Sequence, residues 1–121
     1  LRYAPSVPAW RRITRQAVTL GGVELPAGAR LLVAIGSANR DEAQFEDGER
    51  FDIRRSNARD HLAFGFGRHH CLGADLARIE MRVMLEDLAR RLPDLELVPG
   101  QDYPYSRNTS HRGPESVRVR W

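Results

Sequence analysis

Residues Phe64-Gly65-Phe66-Gly67-Arg68-His69-His70-Cys71-Leu72-Gly73 constrain this 121-residue chain more tightly than any other stretch. They hold its only cysteine, with two glycines spaced two apart ahead of it and a third two residues after it, and they run straight into the longest helical pattern in the sequence. Gly65 and Gly67 permit backbone angles closed to other residues, so the chain can lie flat against something bulky. Gly73 clears a side chain from the first helical turn. The N–H groups and macrodipole at a helix N-terminus stabilise a thiolate. Cys71 is therefore placed to be an anion.

The helix that follows is written in the apolar positions 72, 76, 79 and 83 and again 77, 81, 84 and 88, a broad stripe from Leu72 to Leu92. Asp75 sits near its positive end and Arg90 and Arg91 near its negative end, while Arg82/Glu86, Glu86/Arg90 and Asp87/Arg91 are spaced i,i+4. Pro93 stops it. A stripe this wide predicts burial against a body larger than one small sheet.

Ahead of the loop the pattern changes period. Pro5 closes any preceding helix, and Val7 to Trp10 lead into a first strand. Gln16–Leu20 and Val23–Leu25 flank Gly21-Gly22, a hairpin signal. Pro26-Ala27-Gly28 makes the next turn, and Arg30–Ile35 reads as a short buried strand. Ser37–Asp41 begins a short helix or turn, and residues 53–62 form a polar meandering loop in which His61 is structural or solvent-facing. After the long helix, Asp94–Val98 and Ser116–Arg120 read as strands separated by the Pro99-Gly100 turn and a polar loop.

Composition narrows the classes. With 41% hydrophobic residues the chain supports a modest core, one domain or a piece of one. A single cysteine excludes a disulfide framework within the chain and fits a reducing compartment. No apolar run is long enough to span a bilayer and no signal-peptide pattern opens the chain, so a soluble, cytoplasmic protein without a membrane role is expected. The formal charge is +3, and all 19 basic residues are arginines interspersed with 16 acidic ones, a solvated mixed-charge surface without a nucleic-acid footprint. From the residues alone Cys71 has three readings: a small buried hydrophobe, an anionic ligand, or part of a zinc site with His61, His69 and His70. Against zinc stand the absence of a Cys-x-x-Cys pair and the divergence of two adjacent histidines.

The spacing Phe-Gly-x-Gly-x-His-x-Cys-x-Gly resembles the haem-ligand loop of the cytochrome P450 haem-thiolate monooxygenases of bacterial type, with every fixed position matched. The resemblance covers the whole chain, densest at 62–78. It implies the mainly α cytochrome P450 fold, with residues 1–121 as the carboxy-terminal portion of a single domain. This segment would be α+β: a small β meander, the cysteine haem loop, one long helix and a C-terminal β hairpin. It further implies haem b with Cys71 as axial iron ligand and N–H groups after it tempering the thiolate's electron donation. Phe64 would pack beside the sulfur, Gly65 and Gly73 would admit the porphyrin, and Ala77 would be small where it passes. His69 and Arg12 would hold the propionates, a task suited to arginine's planar fork.

The same resemblance pairs Arg2 with a glutamate three residues earlier, before residue 1, and makes Arg50 the second arginine of that cluster. Read without it, Arg12 and Arg50 are surface arginines. Val7 and Arg107 would contact substrate. Two details depart from the family: Ala17 stands where many relatives have aspartate, and the prolines usual near Glu42 and Gly48 are absent. The implied activity is insertion of one oxygen atom into a small organic substrate, with electrons from a ferredoxin or flavoprotein reductase. The family's oxygen-activating acid and alcohol would lie upstream of Leu1, so the isolated segment is expected to be inactive. Two alternatives remain open at this level: a non-catalytic haem-binding or redox-sensing module, and a zinc or Arg-rich interaction module.

Overall fold

The computed structural model describes residues 1–105, 108 and 110–121. The chain divides into two compact units, Leu1–Ala63 with Asn108–Arg112, and Phe64–Arg107 with Gly113–Trp121. Each is built differently.

In the first unit, four short strands make two nested ladders. The inner one joins β2 (Val18–Leu20) to β3 (Val23–Leu25), with Leu20 opposite Val23, and the outer one joins β1 (Trp10–Ile13) to β4 (Arg30–Val33), with Arg12 opposite Leu31. The inner turn is Gly21-Gly22, both at positive φ (56° and 81°), the geometry that matches strand twist in a two-residue hairpin. Thr14, just past β1, ties the nested pieces together. Its N–H donates to the Ala29 carbonyl at 3.0 Å, its carbonyl accepts from the Gly28 N–H at 2.8 Å, and its buried hydroxyl donates to the Pro26 carbonyl and accepts from the Ala29 N–H. Arg30–Ile35 had the signature of a buried strand. The strand instead ends at Val33 and only Leu31 is half-covered, because Ile35 turns inward as the first residue of α1 (Ile35–Ala38).

The core of this unit is small and partly polar. Ile35 and Phe45 are buried, together with Arg2, Thr14 and Asn39. Asn39 is fully enclosed: its N–H donates to the Ile35 carbonyl at 2.9 Å and its side-chain oxygen accepts the Leu62 N–H at 2.7 Å, which anchors the end of the polar loop.

In the second unit, α2 (Ala74–Arg91) runs for 18 residues. Of the expected i,i+4 pairs, Asp87–Arg91 forms at 2.7 Å; Asp87 also pairs with Arg90, and Asp75 with Arg78 at 3.0 Å. Beyond the helix, β5 (Glu96–Leu97) pairs antiparallel with β6 (Val119–Arg120), shorter than the sequence pattern suggests, and a single bridge joins Tyr105 to Pro114. The Gln101 amide bolts this ladder by bonding to both the Val98 and Arg118 carbonyls. Within the unit only Ala74 is a buried apolar residue among those described; Leu76, Ile79 and Val83 are each more than half exposed.

Candidate cofactor site

The cysteine loop is a closed structure. The Cys71 N–H donates to the Phe64 carbonyl at 2.8 Å, and a 3-10 turn at Gly67–His69 fits inside, with the His70 N–H on the Gly67 carbonyl at 3.0 Å. Gly65 (φ 74°) and Gly67 (φ 72°) supply the left-handed angles that make the reversal possible. The Cys71 carbonyl then accepts from the Ala74 N–H at 3.2 Å, and Ala77 N–H bonds to Gly73, which caps α2. Cys71 is thus a free, exposed thiol just ahead of an 18-residue helix.

The loop fits a flat, soft-ligand-seeking group on two grounds. A β-carbon on Gly73 would stand 4.0 Å from the cysteine sulfur, so glycine keeps the flank of that sulfur open. The sulfur is also the only thiol in the chain, and among the described residues no three His, Cys, Asp or Glu side chains stand together as a metal-binding group. A zinc site from His61, His69, His70 and Cys71 is therefore not assembled. His61 has a local partner, its Nδ1 accepting the Ala63 N–H at 3.2 Å, and His70 Nδ1 lies 3.4 Å from the Gly65 carbonyl. His69 is exposed on the 3-10 turn.

Phe64 is held by more than its carbonyl. Its ring has the Arg78 guanidinium carbon 4.8 Å from the ring centroid and His70 edge-on at 6.3 Å. Phe64, Gly65, Cys71 and Gly73 are thus brought together with the start of α2, and Ala77 lies half-buried in its first turns. Sequence reasoning missed Arg78; its position one turn into the helix after the loop was the available signal.

Arg12, Val7, Arg2 and Arg50 belong to the first unit. Arg12 is exposed on β1, its guanidinium carbon 5.7 Å from the Trp10 ring centroid and its Nη1 on the Arg11 carbonyl at 2.9 Å. It lines an open groove of about 580 Å3 with Arg11, Ile13, Arg30, Leu31 and Leu32. Val7 is half-buried. Arg107 lies outside the described residues.

Arg2 is only 6% exposed, and three backbone carbonyls surround it: Asn39 at 2.7 Å, Gly48 at 2.8 Å and Arg50 at 3.0 Å. Its guanidinium carbon is 5.1 Å from the Phe45 ring centroid. Burial, followed by the charges of Arg55 and Arg40, pushes its pKa below the ordinary arginine value, with Glu49 and Tyr3 acting the other way. Arg50 serves this cluster through its backbone, since its side chain is exposed. Arg40 Nε is 3.1 Å from Glu49 Oε2 but not aligned to donate, and buried Asn39 Nδ2 and Arg55 Nε have no acceptor among the described residues. The cluster carries more donors than acceptors.

These observations agree with comparisons to known proteins. Residues 1–118 match the cytochrome P450 family. Over 114 residues the chain is 46% identical to mycinamicin IV hydroxylase/epoxidase of Micromonospora griseorubida, covering 93% of this chain and 28% of that protein. Its structure superposes on an intact type IV self-sufficient cytochrome P450 monooxygenase with a TM-score of 0.95 and 55% identity, over 99% of this chain and 16% of that one. It likewise superposes on the Tepidiphilus thermophilus P450 heme domain with a TM-score of 0.94 and 49% identity, over 99% of this chain and 29% of that one. The fold and the cysteine loop define a piece of a P450 haem domain. The chain belongs to the cytochrome P450 family, whose cofactor is haem, and it spans less than a third of the length of the curated relatives it matches.

Proposed function

We propose that residues 1–121 form the carboxy-terminal part of a haem-thiolate monooxygenase domain, with Cys71 as the iron ligand. The observation that carries this reading is the exposed Cys71 thiol in a loop closed by its own N–H on the Phe64 carbonyl, immediately ahead of α2. The thiolate is the form in which a cysteine ligates a metal, and the exposed sulfur is sterically free to meet one. When bound there, haem supplies the iron at which molecular oxygen is reduced and one of its atoms is transferred to an organic substrate. Gly65 and Gly73, bearing no side chains, would leave room for the porphyrin beside the loop.

Arg12 and His69 are the residues proposed to hold the haem propionates, Arg12 by its fork and His69 as a single donor. Ala77 leaves room on the helix, and Val7 and Arg107 are proposed to contact substrate. The donor excess around Arg2 suits a carboxylate, the role the family resemblance gives to a glutamate, with Arg50 adding its carbonyl. Relatives act as a hydroxylase/epoxidase and as a steroid C26-monooxygenase, so hydroxylation or epoxidation of a small organic molecule, driven by a ferredoxin or flavoprotein donor, is the proposed reaction class.

The test is the reduced carbon monoxide complex of the full-length protein. Cys71→Ser should abolish the thiolate signature, because an alcohol cannot donate the same charge; an unchanged spectrum would remove Cys71 as ligand. Arg12→Ala and His69→Ala should each speed haem loss without altering that signature, and unaltered haem retention in both would refute the propionate roles.

A further inference from the structure

We infer that Arg78 is a positioning residue for the iron ligand, acting through the Phe64 ring; this rests on Cys71 being that ligand. The loop between Phe64 and Cys71 contains two glycines in left-handed conformations, and glycine restrains a backbone less than any other residue. Something other than backbone preference must therefore fix where Cys71 points. Phe64 is the fixed end. Its carbonyl accepts the Cys71 N–H at 2.8 Å, so a rotation of Phe64 carries the cysteine with it.

The Phe64 ring is restrained from two sides. Arg78, in the second turn of α2, places its guanidinium carbon 4.8 Å from the ring centroid, within the range of a cation–π contact, and His70 meets the ring edge-on at 6.3 Å with the planes 65° apart. Arg78 Nη1 also reaches Asp75 Oδ1 at 3.0 Å, but the Asp75 side chain is 94% exposed, so that pair adds little strength. The helix that follows the cysteine thus reaches back to grip the residue that begins the loop. Ligand loop and helix become one piece.

The experiment compares full-length, haem-loaded variants by the rate of haem release to an excess of a scavenging apoglobin and by the electron paramagnetic resonance of the ferric iron, a readout of ligand geometry that a purely structural role would leave alone. Arg78→Met, which keeps bulk but not charge, should release haem roughly two- to fivefold faster and shift the ferric signal. Arg78→Lys should restore most of both, and Asp75→Asn should change neither. Phe64→Leu should reproduce the Arg78→Met effect, and the double variant should add nothing to it.

Parent-like release and signal in Arg78→Met, or effects that add in the double variant, would overturn the inference. Should Arg78→Met fail to fold, Arg78→Gln against Arg78→Lys decides: equal behaviour sinks the clamp, and a parent-like lysine beside a displaced glutamine supports it. Cys71→Ser, run in parallel, separates the two layers. A parent-like ferric signal there contradicts the ligand assignment itself and the clamp with it, whereas loss of the thiolate signature there with a parent-like Arg78→Met contradicts only the clamp.

Discussion

Arg2 is a full charge held in a buried site by neutral groups. Three carbonyls and the face of Phe45 offset its desolvation, and the charges of Arg55 and Arg40 oppose it. The sign follows from linkage: a guanidinium whose pKa lies below its ordinary value binds its proton less tightly in the folded state, so this group weakens folding wherever both states are charged. Removing it is nonetheless worse than keeping it, because the carbonyls of Asn39, Gly48 and Arg50 would lose their donors. Arg2→Ala in the full-length protein is expected to lower stability by about 3 kcal/mol or more, measured by denaturant midpoint. Arg2→Lys should recover only part of that, since an ammonium lacks the fork that spans three acceptors. The sequence marked Arg2 for a cluster with a carboxylate and with Arg50, and the fold adds three backbone carbonyls around it. Backbone carbonyls carry no signature in the sequence, so these three acceptors were invisible there. The same holds for Arg78 on Phe64, where only the folded loop brings ring and guanidinium together.

Among the elements, two glycines separate backbone demand from steric demand. Gly67 needs its positive φ but has open space where a β-carbon would go, so Gly67→Ala is expected to cost about 1–2 kcal/mol from the backbone alone. Gly48 needs no unusual angle, yet a β-carbon there would collide with the Arg40 carbonyl, and its own carbonyl is an acceptor for Arg2. Gly48→Ala should therefore be the more damaging, about 3 kcal/mol, and thermal unfolding of the two variants side by side checks the order. Elements whose signal is local were legible: the Gly21-Gly22 hairpin, the cysteine loop and α2 all follow from short-range pattern. Elements set by pairing were not. The nesting of β2–β3 inside β1–β4 depends on Thr14 pinning the Pro26-Ala27-Gly28 turn, and β4 stops at Val33 because Ile35 is drawn into the core.

At the scale of the whole molecule the dominant fact is uncovered apolar surface. Leu76, Ile79, Val83, Met84 and Leu85 on α2 are each more than half exposed, as are Ile13 and Leu32 on the outer ladder, while the buried apolar residues among those described are few. Folding free energies are only about 5–15 kcal/mol, and faces of this kind must be covered to reach them. Expressed alone, these 121 residues are expected to bind an apolar dye, to unfold without a sharp cooperative transition and to retain haem weakly; a sharp transition with stoichiometric haem would contradict that expectation. The family assignment was legible because ten residues carry its signature, and the superposition on P450 haem domains extends it to 99% of the chain. Haem binding by this fold rests on the proposed bond between Cys71 and the iron. X-ray absorption at the iron edge of the full-length protein tests it most directly: one sulfur scatterer is expected in the first coordination sphere of the parent and none in Cys71→Ser, and a parent sphere without sulfur, or an undiminished sulfur signal in the variant, would contradict it.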